Sequence, residues 1–234
     1  MATDTKHNYQ HTEPVLMAVD CIIFGVDDNR LKLLIFKREI EPLAGQWSLL
    51  GSFIRANESV SEAASRILFE LTGIDDVYME QLHCFGDVNR DPGARVVSVG
   101  YWSLIKANQD DSGFQIDGHE AKWIYLDEIP QLILDHNDMV SKAVLTLRER
   151  ARFRPIGFEL VPKEFTIAQL LKVYEAIFAR PLDDRNFRKK LINSGLLTQL
   201  DKKDKSTSKK GSYLYAFNEK RYEQLSAEGY HFGF

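Results

Sequence analysis

The feature that most restricts the fold of this chain is a segment at residues 151–162 that contains two prolines and a glycine. An α-helix cannot run through it, because each proline removes a backbone N–H donor and clashes with the preceding turn. The chain has 234 residues, which is enough for two small domains. We therefore predict a disordered tail at 1–13, a first domain at 14–153 and a second domain at 154–234.

The two predicted domains carry charges of opposite sign. Residues 1–162 contain 16 Lys and Arg against 25 Asp and Glu, whereas residues 163–221 contain 14 against 7. A basic module attached to an acidic one suggests that only the second domain meets a polyanion. The alternative is a chance fluctuation of surface charge.

The sequence shows no export or membrane signal. Residues 1–13 are polar, and no apolar run approaches the ~18 residues that a membrane helix needs. Cys21 and Cys84 lie in apolar runs, where free buried thiols are expected in a reducing compartment. We predict a cytoplasmic protein without membrane contact. We expect no metal and no cofactor, because neither zinc-ligand spacing nor a glycine-rich phosphate loop is present.

The first domain mixes strand and helix patterns in an order that predicts an α+β or α/β sandwich. Residues 59–71 have helical spacing, with Ser59 or Ser61 as a cap and Gly73 after the end. The predicted elements, in chain order, are strands at 15–24, 31–36 and 47–53, the helix at 59–71, strands at 77–85, 96–105 and 121–126, and helices at 128–133 and 139–150.

The second domain has the element order of a winged helix. An amphipathic helix at 166–179, with Thr166 as a possible cap, is broken by Pro181. Asp183 or Asp184 caps a second helix at 185–193. Predicted strands at 196–200 and 213–217 then enclose a basic loop at 201–211.

The second helix of this domain has its charged residues on the outside. Phe187 and Leu191 are four residues apart and face the core. An exposed basic helix fits the major groove of DNA, and a basic loop suits phosphates or the minor groove. A solvated surface and a protein-binding module are the alternatives. The predicted DNA contacts are Arg185, Asn186, Arg188, Lys189 and Lys190 on the helix and Lys205, Lys209 and Lys210 in the loop.

Residues 51–74 resemble the Nudix box. That motif reads glycine, five residues, glutamate, seven residues, then Arg-Glu-apolar-x-Glu-Glu-x-Gly-apolar. The chain departs from it at three positions, where Ser52 replaces the glycine and Ile67 and Leu71 replace two glutamates. The positions that match are Glu58, Arg66, Leu68, Glu70, Gly73 and Ile74.

The departures from the box bear on catalysis. The resemblance implies that active Nudix hydrolases hold a divalent metal on the carboxylates of this helix. Mg²⁺ requires several oxygen ligands, and Glu70 alone cannot supply them when Ile67 and Leu71 are aliphatic. We therefore predict no catalytic residues and no enzyme activity, with Glu58 and Arg66 kept as a structural ion pair. The alternative is a hydrolase of a nucleoside diphosphate derivative whose metal ligands lie outside the box.

A Nudix-like domain followed by a winged helix is similar to the Nudix-related transcription regulators. The similarity covers nearly the whole chain. It implies an α+β protein in which a Nudix-like α/β/α sandwich precedes a C-terminal winged helix-turn-helix domain. It also implies a homodimer that binds a double-stranded DNA operator under the control of a small-molecule effector. Some members respond to ADP-ribose and others to a sugar; this chain looks closer to the L-arabinose type, so a pentose is predicted ahead of ADP-ribose.

Candidate effector contacts follow from side-chain chemistry. Arg90 and Arg95 flank a tight Asp-Pro-Gly turn, where they either contact the ligand or pair with nearby acids. Trp47 could stack on a sugar, although a place in the core is the favoured alternative, and His136 is expected to be a structural cap. The complete predicted effector set is Lys37, Arg38, Trp47, Ser52, Arg90 and Arg95.

Overall fold

The computed structural model describes residues 12–27, 29–73, 75, 77–106, 114–116, 119–206, 209–229 and 232–233. Most of the predicted disordered tail, residues 1–11, lies outside the described residues. The secondary structure in chain order is β1 Leu16–Asp27, β2 Arg30–Lys37, β3 Trp47–Ser48, β4 Leu50–Phe53, α1 Val60–Thr72, β5 Glu80–Phe85, β6 Val96–Lys106, β7 Phe114–Ile116, β8 His119–Tyr125, α2 His136–Phe153, α3 Ile167–Phe178, α4 Asp184–Asn193, β9 Leu197–Asp204, β10 Ser212–Phe217 and α5 Glu219–Ala227.

The first eight strands form one mixed sheet. Its order is β5-β6-β1-β2-β8-β7, with β3 paired to β2 and β4 paired to β1. β1 runs parallel to β6 over eleven residue pairs and antiparallel to β2 and β4. β1 is therefore the central strand, and residues near its start lie next to both β4 and β6. The predicted α+β architecture is confirmed.

Helix α1 covers one face of the sheet. Ser59 caps it in a capping box with Glu62, and Gly73 ends it at φ 67°, where a residue without a Cβ adopts the left-handed conformation without strain. The helix buries Ala63, Ala64, Ile67 and Leu68 against the sheet. Its apolar stripe therefore packs as the sequence predicted.

The opposite face of the sheet and the winged helix share one hydrophobic core. Phe24 and Leu33 of the sheet, Leu147 of α2 and Tyr174 and Phe187 of the second domain belong to the same buried cluster. No solvent layer separates the two domains at this cluster, although the segment after Phe153 contains no α-helix until residue 167.

A hydrogen bond between helices also joins the domains. Arg148 Nε on α2 donates to the carbonyl oxygen of Ile177 on α3 at 2.9 Å. This carbonyl lies in the last turn of α3, where carbonyl groups lack helical partners and the helix dipole favours a cation. Arg148 therefore fixes the end of α3 to α2.

The second domain has the predicted helix–turn–helix–hairpin order. Thr166 caps α3 in a capping box with Gln169, and Asp183 caps α4 by accepting from Asn186 N at 2.6 Å. β9 and β10 form an antiparallel hairpin, and Phe165 bridges to Tyr215 beside it. The C-terminal winged helix is thus confirmed.

Three local predictions were wrong, and one helix was missed. The helix expected at 128–133 is absent: only a 3₁₀ turn, Leu126–Glu128, forms before Pro130, and Leu132 N instead donates to Asn137 Oδ1 at 2.8 Å. Strand β9 continues to Asp204, so the basic loop is shorter than expected. Cys84 is exposed rather than buried. Helix α5 had no counterpart in the sequence prediction.

Within the described ranges, every helix is too short or too polar to cross a bilayer.

Candidate functional site

Arg66 and Glu58 brace the loop that precedes α1. Arg66 donates to Glu58 through Nη2 at 2.6 Å and Nε at 2.7 Å, and to the carbonyl oxygen of Phe53 at 3.1 Å. The side chains of Arg66 and Glu58 are 14% and 11% exposed. Hydrogen bonds from Arg66 lower the pKa of Glu58 to about 2. The pair therefore has the structural role that the sequence predicted.

Glu70, the carboxylate that the box retains on the metal-binding face of α1, is held by two arginines. Arg66 Nη1 donates to Glu70 Oε2 at 2.9 Å, and Arg55 Nη2 donates to Glu70 Oε1 at 3.0 Å. Burial alone would raise the pKa of Glu70, but the hydrogen bonds from the two arginines lower it. Both carboxylate oxygens already have cationic partners.

The two aliphatic replacements pack into the core. Ile67 is 1% exposed in the cluster between α1 and the sheet, and Leu71 packs partly buried against the same cluster. In the part of the chain that the structure describes, no group of three or more His, Cys, Asp or Glu is arranged to hold a metal ion. The helix face therefore offers hydrocarbon where a hydrolase presents carboxylates.

A buried polar cluster lies at the sheet end where β1, β4 and β6 meet α2. Asp20 on β1 accepts from Ser98 Oγ on β6 at 2.6 Å. Arg90 Nη2 is 3.7 Å from Asp20 and 2.7 Å from Asp135, to which Arg90 Nε also donates at 2.9 Å. The Arg90 side chain is only 3% exposed. Of the two alternatives for Arg90, pairing with an acid is the one observed, and the partner is Asp135 rather than Asp87 or Asp91.

His136 completes this buried cluster. Its Nδ1 accepts from Leu49 N at 3.0 Å, and its Nε2 lies 3.7 Å from Asp20 Oδ1. Burial lowers the pKa of His136, although the charge of Asp20 opposes this. A ring that accepts at Nδ1 is neutral and carries its proton on Nε2. His136 therefore joins α2 to the residue between β3 and β4 rather than capping the helix, and the N-cap residue, Asp135, makes no side-chain capping hydrogen bond.

Two further predicted effector residues lie in loops beside this cluster. Arg38 Nε donates to the carbonyl oxygens of Ile40 and Pro42 at 2.9 and 2.8 Å. Arg95 Nη1 is 3.3 Å from the carbonyl oxygens of Asp87 and Val96. Among the described residues, neither guanidinium has a carboxylate partner, so both keep a charge that no acid neutralises.

The remaining predicted effector residues lie on nearby strands. Lys37 Nζ pairs with Glu120 at 2.7 Å, and Trp47 is half-buried with Lys122 Nζ 4.2 Å from its ring centre. Ser52 is exposed on β4 beside Val19 of β1. The predicted set therefore divides into a loop group, Arg38, Arg90 and Arg95, and a strand group, Lys37, Trp47 and Ser52.

The sequence prediction missed three residues of this region. Asp20 and Ser98 are buried polar residues in apolar strands, and Asp135 pairs with Arg90 across 45 positions. A charged residue inside an apolar strand pattern is a signal that could have identified Asp20. Phe53, the last residue of β4, is 52% exposed next to the box, and an apolar residue at the end of a strand gives no such signal.

The basic surface of the second domain has the predicted exposure. Arg185, Asn186, Lys189 and Lys190 are exposed on α4 and Arg188 is half-buried, while Phe187 and Leu191 face the core. Lys205, Lys209 and Lys210 are exposed in the loop of the hairpin. Lys202 and Lys203 fall in the loop predicted at 201–211 but lie on β9 in the structure. There Lys202 pairs with Glu164, and Lys203 lies over the Tyr213 ring. Helix and loop together form a positive surface.

Comparison with known proteins assigns both domains. Residues 15–143 match the model of the NUDIX domain, and residues 157–217 match that of the NrtR DNA-binding winged helix domain. The chain is 33% identical over 206 residues to the ADPR responsive transcriptional repressor NtrR of Acinetobacter baylyi. The aligned region covers 86% of this chain and 82% of that protein.

Two solved structures extend the comparison. The Shewanella oneidensis NrtR complexed with a 27mer DNA has a TM-score of 0.75 at 27% identity, covering 92% of this chain and 96% of that one. The NUDIX domain of Shewanella oneidensis NrtR complexed with ADP ribose has a TM-score of 0.54 at 29% identity, covering 62% and 99%. The matched domains and the relative that is similar over most of its length show that this chain belongs to the NrtR family of Nudix-related transcriptional regulators.

Proposed function

We propose that this protein is a transcriptional repressor that binds duplex DNA through α4 and the β9–β10 loop, and that releases the DNA when ADP-ribose binds the Nudix domain. The positive surface of the second domain supports DNA binding. A single winged helix makes few phosphate contacts, so a homodimer on a two-part operator is part of the proposal.

ADP-ribose replaces the pentose that the sequence favoured. The Acinetobacter baylyi relative is named an ADPR responsive repressor, and the NUDIX domain of Shewanella oneidensis NrtR was solved in complex with ADP ribose. Neither name refers to a sugar effector such as L-arabinose. The charges agree with this choice. A diphosphate requires cationic partners, and the guanidinium groups of Arg38 and Arg95 donate only to carbonyl oxygens among the described residues. We assign these two arginines to the diphosphate and leave Arg90 a structural role in the buried cluster.

The observation that carries the regulatory function is the state of α1. Ile67 is buried in the core and Glu70 is held by Arg55 and Arg66. Mg²⁺ requires oxygen ligands in near-octahedral geometry, and this face offers one carboxylate that is already ion-paired. The cleft can therefore bind a nucleoside diphosphate derivative without cleaving it.

Control of DNA binding requires that ADP-ribose has different affinities for the free and the DNA-bound protein, because a ligand that binds both equally shifts nothing. Arg38 and the loop with Arg90 and Arg95 lie beside the start of α2, where Arg90 pairs with Asp135. Farther along α2, Arg148 is hydrogen-bonded to α3 of the winged helix. This helix provides a physical connection between the two sites.

One experiment tests the proposal. Duplexes selected from a random library by the full chain serve as the DNA ligand, and fluorescence anisotropy measures their affinity with ADP-ribose or L-arabinose added. ADP-ribose should lower the affinity at least tenfold, and L-arabinose should not. The same samples, incubated with Mg²⁺ or Mn²⁺, are analysed for AMP by chromatography. If no duplex is selected, the proposal that the protein is a DNA-binding regulator is contradicted. If AMP forms at enzyme-like rates, the alternative that the protein is a hydrolase is favoured.

The Arg95→Gln variant is the matched control for the ligand response. It should bind the selected duplex with unchanged affinity but require more ADP-ribose for release. Equal loss of DNA binding would indicate that Arg95 supports the fold rather than the effector site.

A further inference from the structure

A second cavity lies where the sheet, the end of α2 and the winged helix meet. Its volume is about 640 Å³, within the range of roughly 300–1,000 Å³ that is usual for small-molecule sites. Trp102 on β6 and Arg150 on α2 line it from the first domain, and Arg154, Ile156 and Tyr222 line it from the second. A molecule in this cavity would therefore contact both domains.

This cavity is separate from the Nudix box. Trp102 belongs to the core cluster on the α2 face of the sheet, whereas Ile67 of the box belongs to the cluster on the α1 face. None of the six predicted effector residues lines the cavity. The cavity and the box helix are therefore on opposite faces of the sheet, and the cavity adjoins the end of α2, whereas Arg38 lies beside the start of that helix.

Trp102 supplies an unsatisfied hydrogen-bond donor at this place. The residue is 5% exposed, and its indole N–H has no acceptor among the described residues. Buried donors are paired in the great majority of cases, so each exception requires a physical explanation. A bound molecule with an acceptor atom within hydrogen-bond distance of the indole would satisfy this donor.

The charges around the cavity indicate the chemical class of the molecule. Glu80 neutralises Arg150, to which it is hydrogen-bonded, and Glu159 also lines the cavity, where its Oε1 accepts from Gly157 N at 3.3 Å. Arg154 and Lys106 are exposed cations that also line the cavity, and in the described part of the chain neither has an ion-pair partner. The lining thus has three cations and two carboxylates, and this positive surplus favours an anionic group, while Ile156 and Tyr222 favour an apolar or planar body.

We propose that this cavity binds a small organic anion, a phosphate monoester or a carboxylate with a planar body. Its anionic group contacts Arg154 and Lys106, and one acceptor takes the indole N–H of Trp102. Such a molecule is a second ligand of the protein, distinct from the effector in the Nudix cleft. It stabilises the packing of the winged helix on the sheet because it touches both.

Nuclear magnetic resonance of the ¹⁵N-labelled full chain tests this proposal. The three tryptophans give three indole N–H signals, and Trp102→Phe identifies the signal of Trp102. Phenyl phosphate and benzoate are titrated separately, with inorganic phosphate and phenol as references. The Trp102 signal should shift in a saturable manner with one of the two aromatic anions, and the tighter of the two assigns the anionic group. The signals of Trp47 and Trp123 should stay in place.

Variants decide whether the shift reports this cavity. Arg154→Gln with Lys106→Gln should weaken the binding about tenfold, as expected for loss of charged contacts, while Arg152→Gln, an exposed neighbour outside the cavity, should not. Retained signals of Trp47 and Trp123 show that each variant is folded. The shift should persist in Arg95→Gln, which leaves this cavity intact. The proposal is overturned if no aromatic anion moves the Trp102 signal, if inorganic phosphate alone moves it equally, or if the double variant binds as tightly as the unaltered chain.

Discussion

Arg66 and Glu70 form an ion pair one helical turn apart on α1, with Arg66 Nη1 2.9 Å from Glu70 Oε2. The same guanidinium holds Glu58 through its other nitrogens. The carboxylate that a metal would need is thus committed to a structural network, and the residues that would accompany it are aliphatic.

The first prediction concerns restoration of the box. Ile67→Glu should lower the free energy of unfolding by about 3–5 kcal/mol, because it places a charge in the core between α1 and the sheet. Urea unfolding measures this loss, and Ile67→Val, with an expected loss of about 1 kcal/mol, is the control. Leu71→Glu should be tolerated better because Leu71 is only partly buried. A stable Ile67→Glu variant that hydrolyses ADP-ribose with Mg²⁺ would contradict this account of α1.

The second prediction concerns the diphosphate contacts. Arg38→Gln and Arg95→Gln should each raise the ADP-ribose Kd about tenfold, since each removes a charge-assisted hydrogen bond. Isothermal titration calorimetry measures the Kd, and adenosine, which has no diphosphate, should bind the variants and the parent equally. Arg30→Gln is the control, because Arg30 pairs with Asp127 and Glu128. An unchanged Kd in both variants would remove these arginines from the site.

The third prediction concerns DNA affinity. Arg188→Ala and Lys189→Ala should each weaken binding to the selected duplex and reduce the slope of log affinity against log salt by about one. Anisotropy titrations at several salt concentrations give the slope. Lys142→Ala, an exposed lysine on α2, should leave it unchanged. If Arg188→Ala and Lys189→Ala kept the salt slope of the unaltered chain, as Lys142→Ala should, the DNA would contact a different surface.

The fourth prediction concerns pH. Burial lowers the pKa of His136 in the folded chain below its ordinary value of 6.5, so the unfolded chain binds more protons as the pH falls through this value. Stability contributed by neutral His136 is therefore full above about pH 6.5 and declines at lower pH. Urea unfolding from pH 7.5 to 5 should show a shallower decline in His136→Asn, which keeps an acceptor for Leu49 N. His83→Asn, at an exposed position, should match the parent; a parent-like slope in His136→Asn would refute the role of this residue.

Local patterns predicted much of the fold because they act over short distances. Ser59, Thr166 and Asp183 cap the helices that follow them, and the spacing of Phe187 and Leu191 identified the buried side of α4. Ile67 and Leu71 were recognised as departures from the box by position alone. These features depend on residues within one or two helical turns.

Long-range pairing explains most of what the sequence did not reveal. The Arg90–Asp135 ion pair and the hydrogen bond from Leu49 to His136 join segments 45 and 87 positions apart, and no local pattern encodes such partners. The predicted helix at 128–133 failed because Leu132 and Ile133 are buried in an irregular segment, where an apolar run resembles a helix. Which predicted arginines could meet a ligand became evident only from their partners.

The core that extends from Phe24 and Leu33 through Leu147 to Tyr174 and Phe187 has a mechanical consequence. The winged helix cannot swing on a hinge inside the chain without exposing these side chains to water. In the homodimer proposed above, a signal from the Nudix cleft would therefore have to change the spacing between two intact protomers. In that proposed dimer, we expect an effector to adjust the distance between the two α4 helices rather than the shape of either subunit.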